Sequence, residues 1–252
     1  MNEIFQIAIG IVGNAIWFAL GFFTLKLLTF FRNTVPSRNL WQIFEPKQVV
    51  ICAATSILVD TGEYTRPATG IGQMRALALA TTSLNTAYGK LDIRNILLST
   101  DQLQEKLEND LILLGGPKNN SVSAHFMELI GPFQPIRLKE PKILWCREKT
   151  DNIWSDNLVI EYVPVITGGK VTKDYGLIIR AQSPFTSKKR TVVLLAGTHT
   201  YGTLAAAKYF TEEFPKTISL YKKPTKNLAL VISSLIIDGY PTALKLEQIY
   251  EW

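Results

Sequence analysis

The sequence predicts an α/β protein that begins with a single transmembrane helix. Behind that helix it predicts a Rossmann-like, three-layer domain with a mostly parallel sheet and an antiparallel edge hairpin. Three observations carry this reading. Residues 4–25 contain no charged side chain. After residue 48, short apolar runs rich in β-branched residues alternate with runs of helical period, the pattern of a parallel sheet covered by helices. Two strand-like runs in the middle flank "TGGKVTKD", which reads as a hairpin turn.

The apolar run comes first. Twenty-two residues at about 1.5 Å each give roughly 33 Å, enough to cross a hydrocarbon core. Gln6 and Asn14 are polar but uncharged, and Trp17, Phe22, Phe23, Phe30 and Phe31 suit lipid and interface contact. A signal peptide would want a basic start and an A-x-A cleavage site, whereas this chain starts "MNE". Glu3 precedes the run, and Lys26, Arg32, Arg38 and Lys47 follow it. The positive-inside rule therefore expects a single-pass protein of the cell membrane with its soluble part in the cytoplasm. The expected organisation is an anchor at 1–31, a juxtamembrane linker at 32–48 and a Rossmann-like domain at 49–252. Pro36 and Pro46 argue against one continuous helix through that linker.

Composition bounds the rest. The 252 residues carry a net charge of +6, and 47% are hydrophobic, which suits one membrane segment and one domain with a sizeable core. Cys52 and Cys146 are the only cysteines, without a C-x-x-C, which disfavours a disulfide framework and suits a reducing compartment. Two cysteines and two histidines leave little for a metal site, and no metal or cofactor is expected.

Along the domain, 48–55 reads as a buried strand, 56–73 as a loop and 74–88 as a helix. Residues 93–99 read as a strand, 101–110 as a short polar helix, 111–116 as a strand and 121–130 as a helix. Residues 158–166 and the start of 175–185 form the expected hairpin. The run 191–210 reads as strand, glycine loop and helix, and 228–238 as a last core strand. The segment "PTALKLEQIYEW" is left without an assigned place.

Ligands of open parallel sheets bind beyond the carboxyl ends of the strands. Three such ends carry glycine loops. The first offers Gly70, Gly72 and Arg75, the second Gly115, Gly116, Asn119 and Asn120, and the third Gly197, Thr198, His199, Gly202 and Thr203. Glycine lets a backbone approach a ligand closely, and a helix N-terminus attracts an anion. The side chains of Asn119, Asn120, Thr198 and Thr203 add hydrogen bonds, and Arg75 suits a phosphate or carboxylate. The plain alternative is that each loop is only a turn. His199, Asp60 and Glu63 are the candidate acid–base groups, with a turn residue and solvated acids as their bland counterparts.

The motifs "DLILLGGPKNN", "YGLIIRAQSPF" and "VVLLAGTHTYGTLAAAKYF", following "TGIGQMRALA", resemble a family of poorly characterised bacterial proteins. In that family a comparable domain follows a membrane segment or a helix-turn-helix. The resemblance covers about residues 49–210. More loosely, the domain is similar to Rossmann-like nucleotide-sensing domains of the SLOG type. The resemblance implies nucleotide sensing and assigns no residue a role.

Several chemistries fail on spacing. Gly197 and Gly202 have the P-loop offset, but Thr203 and Leu204 stand where Lys and Ser or Thr belong. Arg75 breaks a G-x-G-x-x-G at Gly70, and there is no G-x-S-x-G. His125 and Glu128 lie one helical turn apart and read more simply as a surface pair than as metal ligands. The basic groups Lys188–Arg190 and Lys222, Lys223 and Lys226 have little aromatic interleaving, so nucleic acid is not an expected partner. Solvated turns or contact with anionic lipid headgroups account for them. The expected function is a membrane-anchored, cytosolic ligand-binding or signalling module for a nucleotide or another phosphorylated small molecule. Its expected partners are the bilayer, that ligand and a second copy met through Asn14. A nucleotide- or glycosidic-bond-cleaving enzyme and a protein-interaction scaffold stay open as alternatives.

Overall fold

The N-terminal apolar run folds as one helix, α1 (Asn2–Thr29), in a computed structural model that describes residues 2–101, 103–150, 153–217 and 227–252. For residues 2–10, 150, 156, 216 and 217 the backbone alone is described. The helical stretch Ile11–Trp41 has an 18-residue window of mean hydropathy 1.7, none of it buried, so it is long and apolar enough to cross a membrane. Pro36 does not break it. A π-turn, Phe30–Thr34, comes immediately before α2 (Val35–Trp41), and Val35 N–H donates to Phe30 O across five residues. Pro36 sits at the start of α2, where its missing N–H costs least, and the wider turn absorbs the mismatch.

The expected linker is packed rather than extended. Leu40 and Trp41 are fully buried, and α2 ends at Gln42 in a left-handed conformation. Trp41 Nε1–H donates to Ser83 Oγ at 2.9 Å, and its ring meets Phe210 edge-on at 4.9 Å. Two buried charged residues hold this end. Arg180 donates to Leu40 O at 2.6 Å, and burial draws its guanidinium down to about 10. Asp110 accepts from Glu45 N at 2.8 Å, Phe44 N at 3.1 Å and Thr191 N at 2.7 Å.

The domain continues with β1 (Val50–Ala53), the hairpin β2 (Ile57–Asp60) and β3 (Thr65–Ala68), then α3 (Ile71–Tyr88), β4 (Ile96–Leu98), β5 (Leu111–Leu114) and α4 (Ser121–Ile130). Next come β6 (Ile136–Lys139), β7 (Lys142–Thr150), β8 (Ile153–Tyr162), β9 (Val165–Thr167) and β10 (Lys170–Gln182). The chain closes with β11 (Thr191–Gly197), α5 (Thr200–Lys208), α6 (Phe214–Thr217), β12 (Leu228–Ile237) and β13 (Tyr240–Glu251). The central sheet has the order β13-β12-β10-β11-β5-β1-β4, with β9 paired to β10. Its centre, β11-β5-β1-β4, is parallel, and β10 and β13 run against the other strands.

Strands β1, β5 and β11 are buried along their whole length because both sheet faces are covered. On one face α2, α3 and α5 pack through Leu40, Trp41, Ala80, Leu84, Ala206 and Ala207, with Phe210 from the turn after α5. On the other, α4 and a separate sheet β6-β7-β8 contribute Phe126, Ile130, Ile136, Ile143 and Tyr162. The molecule is thus a mixed α/β protein with an N-terminal apolar helix and a central sheet that is parallel at its core.

Four sequence expectations are corrected. Strand β10 is interior, between β11 and β12, and β8 belongs to the separate sheet, so the expected edge hairpin shrinks to β9-β10. Among the described residues of 101–110 the only helical turn is the 3-10 turn Gln104–Lys106, since so short a run between two strands offers too little apolar face to sustain a helix. Strand β4 is shorter than expected because Asp92 accepts from Arg94 N and caps a turn, Ile93–Asn95. Residues 57–68, read as a loop, form the exposed hairpin β2-β3, turned by Gly62 at φ 86°.

Two predictions follow from these buried groups. Arg180→Met leaves Leu40 O without its donor, which should cost about 1–3 kcal/mol. Limited proteolysis should then cut faster around residues 40–45; an unchanged digestion pattern would refute this capping role. For Cys52, burial pushes the thiol up to about 12, the Asn120 contact opposes this and Asp101 adds to it. The folded value exceeds the ordinary 9.0, so the stabilisation is complete below pH 9 and is lost as pH rises toward 12. Cys52→Ala should flatten that part of the stability–pH curve, and iodoacetamide should spare Cys52 in the folded protein.

Candidate functional site

The strand order reverses at β1: the chain places β4 on one side of it and β5 on the other. In open parallel sheets such a reversal opens a crevice beyond the strand ends. Here the ends of β1, β5 and β11 surround a cavity of about 360 Å³. All three glycine loops reach it, through Gly70, Gly116, Asn119, Gly197, Thr198, His199 and Thr203. Larger hollows exist elsewhere, about 610 Å³ along α2 and α3 and about 670 Å³ beside His125 and Phe185, but neither of these gathers the three loops.

The third loop is built by packing. A β-carbon on Gly202 would collide with Tyr175 O, and one on Gly197 with Thr203 N, so α5 lies directly against the backbones of β10 and β11. Asp174, fully buried on β10, accepts from Gly202 N at 2.6 Å, Tyr175 N at 2.9 Å and the Thr198 hydroxyl. Burial still pushes its carboxyl above the usual range, while the Thr198, Tyr175 and Gly202 hydrogen bonds and His199 pull it back. His199 stands at the cap of α5 with Nδ1 3.7 Å from Asp174 Oδ1. That is beyond hydrogen-bond reach, and Nδ1 is buried without a partner.

The first loop is tied to the third. Gly72 N donates to Thr200 Oγ1 at 3.1 Å, and Thr200 Oγ1 donates to Gln73 Oε1 at 3.1 Å. The N-termini of α3 and α5 therefore meet at the cavity. The second loop turns at Gly115, φ 96°, whose N–H donates to Leu195 O at 2.9 Å. Gly116 leaves room for the Glu140 carboxylate, which Lys118 N–H also binds. Burial raises Glu140 above its ordinary value, while Lys118 and His199 lower it.

Other expected residues lie elsewhere or do structural work. Arg75 donates to Gly239 O at 3.2 Å, stacks near Tyr240 and faces the groove along α2. Asp60 and Glu63 stand exposed on the β2-β3 hairpin, with Asp60 accepting from Gly62 N. Asn120 is buried and uses its amide to bolt β1 and β5 to α4, donating to Cys52 O and Leu114 O and accepting from Val122 N and Ser123 N. Gly72, Gly115 and Gly202 serve close packing. The basic residues at 222, 223 and 226 lie outside the described residues.

Sequence reasoning missed Ser56, Gln73, Lys118, Glu140 and Thr200 as lining residues and Asp174 behind them. Lys118 and Thr200 sat inside motifs already singled out, but no local pattern marked Glu140 or Asp174. Among the described residues, no group of three or more His, Cys, Asp or Glu is placed to hold a metal ion. No protein-family model and no curated protein matches this chain, so the resemblance rests on its motifs alone.

Gly202→Ala should destabilise the domain by about 1–3 kcal/mol, because the obstacle is backbone and cannot swing aside. Gly131→Ala, at φ −48° with nothing within 4 Å, serves as the control for an added β-carbon without a close contact. Equal melting points for the two variants would refute the close-contact explanation.

Proposed function

We propose that the chain is a membrane-anchored ligand-binding protein whose Rossmann-like domain, on the cytoplasmic side, holds a nucleotide or another phosphorylated small molecule in this cleft. The observation that carries the reading is the meeting of three glycine-bearing strand ends, the N-termini of α3 and α5, and Lys118 on one small polar cavity. Helix N-termini favour an anion, and Lys118 supplies the positive charge that the P-loop-like spacing lacks. Gln73, Asn119, Thr198 and Ser56 offer neutral hydrogen bonds, and Glu140 suits sugar hydroxyls. A volume near 360 Å³ fits a mononucleotide better than a dinucleotide.

The anchor reading draws on the apolar helix and on the basic residues after it, Lys26, Arg32, Arg38 and Lys47, which favour a cytoplasmic domain. Asn14, exposed on that helix, offers an interhelical hydrogen bond to a second copy. A sensor that signals along one helix needs such a partner. The motif resemblance to nucleotide-sensing domains points the same way.

A second reading is favoured by the acid–base groups. His199 beside Asp174, with Glu140 in the same cavity, could move a proton during cleavage of the bound molecule. Chromatography of the ligand after incubation separates the two readings: binding alone leaves it intact.

A thermal-shift panel of nucleotides and sugar phosphates on the full chain in detergent tests the first. A ligand at a hundredfold excess over its Kd should stabilise by about 2.7 kcal/mol. Lys118→Ala and His199→Ala should each weaken binding about tenfold without lowering the melting point of the free protein, whereas Arg75→Ala should leave affinity unchanged. No stabilisation by any member of the panel would sink the proposal.

A further inference from the structure

The sheet edge opposite the cleft forms a second surface. It comprises the N-terminal ends of β1, β4, β5 and β11, with the ends of α2 and α3 beside them. Three of its acids are engaged by neighbours: Glu45 with Arg190 at 2.8 Å, Glu108 with Lys188 at 2.5 Å and Asp92 with Arg94 at 2.6 Å. Lys47 and Lys106 line an open polar hollow of about 570 Å³, together with Arg94, Asn95, Asn109 and the acids Asp92 and Glu105. Lys189 stands 4.8 Å from the ring of Phe44. Phe44 is 42% exposed, and Ile93, beside Arg94 at the turn before β4, is 77% exposed. Apolar side chains set among cations are the make-up of a surface that settles into a headgroup layer.

This edge is also joined to the end of the apolar helix. Arg38 Nε–H donates to Ala87 O at the end of α3, and its guanidinium lies 5.7 Å from the ring of Phe30, one residue past α1. The other end of α3 borders the cleft. Its 18 residues place the cleft roughly 27 Å farther along that helix.

We propose that the N-terminal edge of the sheet lies on an anionic bilayer surface. Phe44 and Ile93 dip into the headgroup layer, and Lys47, Lys106 and Lys189 contact the charged headgroups. The proposal rests on the apolar helix spanning that bilayer. It turns the cleft away from the membrane and opens it to soluble ligand.

The full chain, reconstituted into vesicles of phosphatidylcholine alone or with about a third phosphatidylserine, provides the test. In the anionic vesicles, acylation of Lys47, Lys106 and Lys189 should slow about fivefold, with Lys118 unaffected. Both native cysteines are buried, so Ile93→Cys gives one accessible thiol for an environment-sensitive dye, whose emission should shift to the blue only on anionic vesicles. Equal lysine rates in both vesicle types, or slowing at Lys118 instead, would overturn the proposal while leaving the anchor intact. Failure of the chain to float with the vesicles in alkaline carbonate would remove the anchor and the proposal together. Protection of the same lysines by a short RNA or DNA duplex, with none by anionic vesicles, would assign the edge to nucleic acid instead.

Discussion

The cleft depends on how closely α5 approaches the two strands beneath it. Gly176, Gly197 and Gly202 are sites where a single β-carbon would meet backbone atoms across the interface. With that carbon absent, the first turn of α5 comes near enough for Gly202 N to reach the Asp174 carboxylate. A buried carboxylate is costly unless its oxygens are satisfied. Asp174 accepts from two backbone N–H groups and a threonine hydroxyl, and these hydrogen bonds to a charged acceptor are the strong kind. The same contacts fix Thr198 and leave His199 at the rim. Packing therefore sets the geometry of the loop before any ligand is considered.

Strand β10 carries a buried charged group toward each end. Asp174 organises the cleft, and Arg180, six residues along, binds the final carbonyls of α2. The end of the helical run that begins with the apolar segment is therefore held by the same strand that supports the cleft. Asp110 strengthens that attachment by accepting from Phe44 and Glu45 on one side and Thr191 on the other. Leu40, Trp41 and Ile43 are buried in the core, and Phe44 and Glu45 are held through their backbone N–H groups.

Much of the central sheet was legible in the sequence for a simple reason. A strand covered on both faces must be apolar throughout, so 50–53, 111–114, 191–197 and 228–232 stand out as unbroken runs. The partly exposed strands β2, β3, β6 and β7 lack that mark, and the expected helix at 101–110 shows that propensity without a packing face decides little. The site was half legible. Its glycines and Thr198, His199 and Thr203 sit in visible motifs. Glu140 reaches the cavity from a separate sheet, and Asp174 meets Gly202 across 28 residues, so both are products of tertiary structure that no local pattern encodes.

The P-loop-like offset of Gly197 and Gly202 now has a different cause. In a phosphate loop the spacing brings backbone N–H groups around an anion and sets a lysine just after the second glycine. Here the two glycines pack against each other and against β10, and one key N–H is already committed to Asp174. The position after Gly202 is Thr203, which is 2% exposed on the first turn of α5. A lysine there would have its stem confined and its ammonium desolvated, so the spacing could not be completed in this fold without cost. The positive charge near the cavity comes instead from Lys118, on the loop after β5. An anion in this cleft would thus be held between loops, and its affinity would depend on the relative placement of β5 and β11, which Gly115 N–H and Leu195 O fix directly.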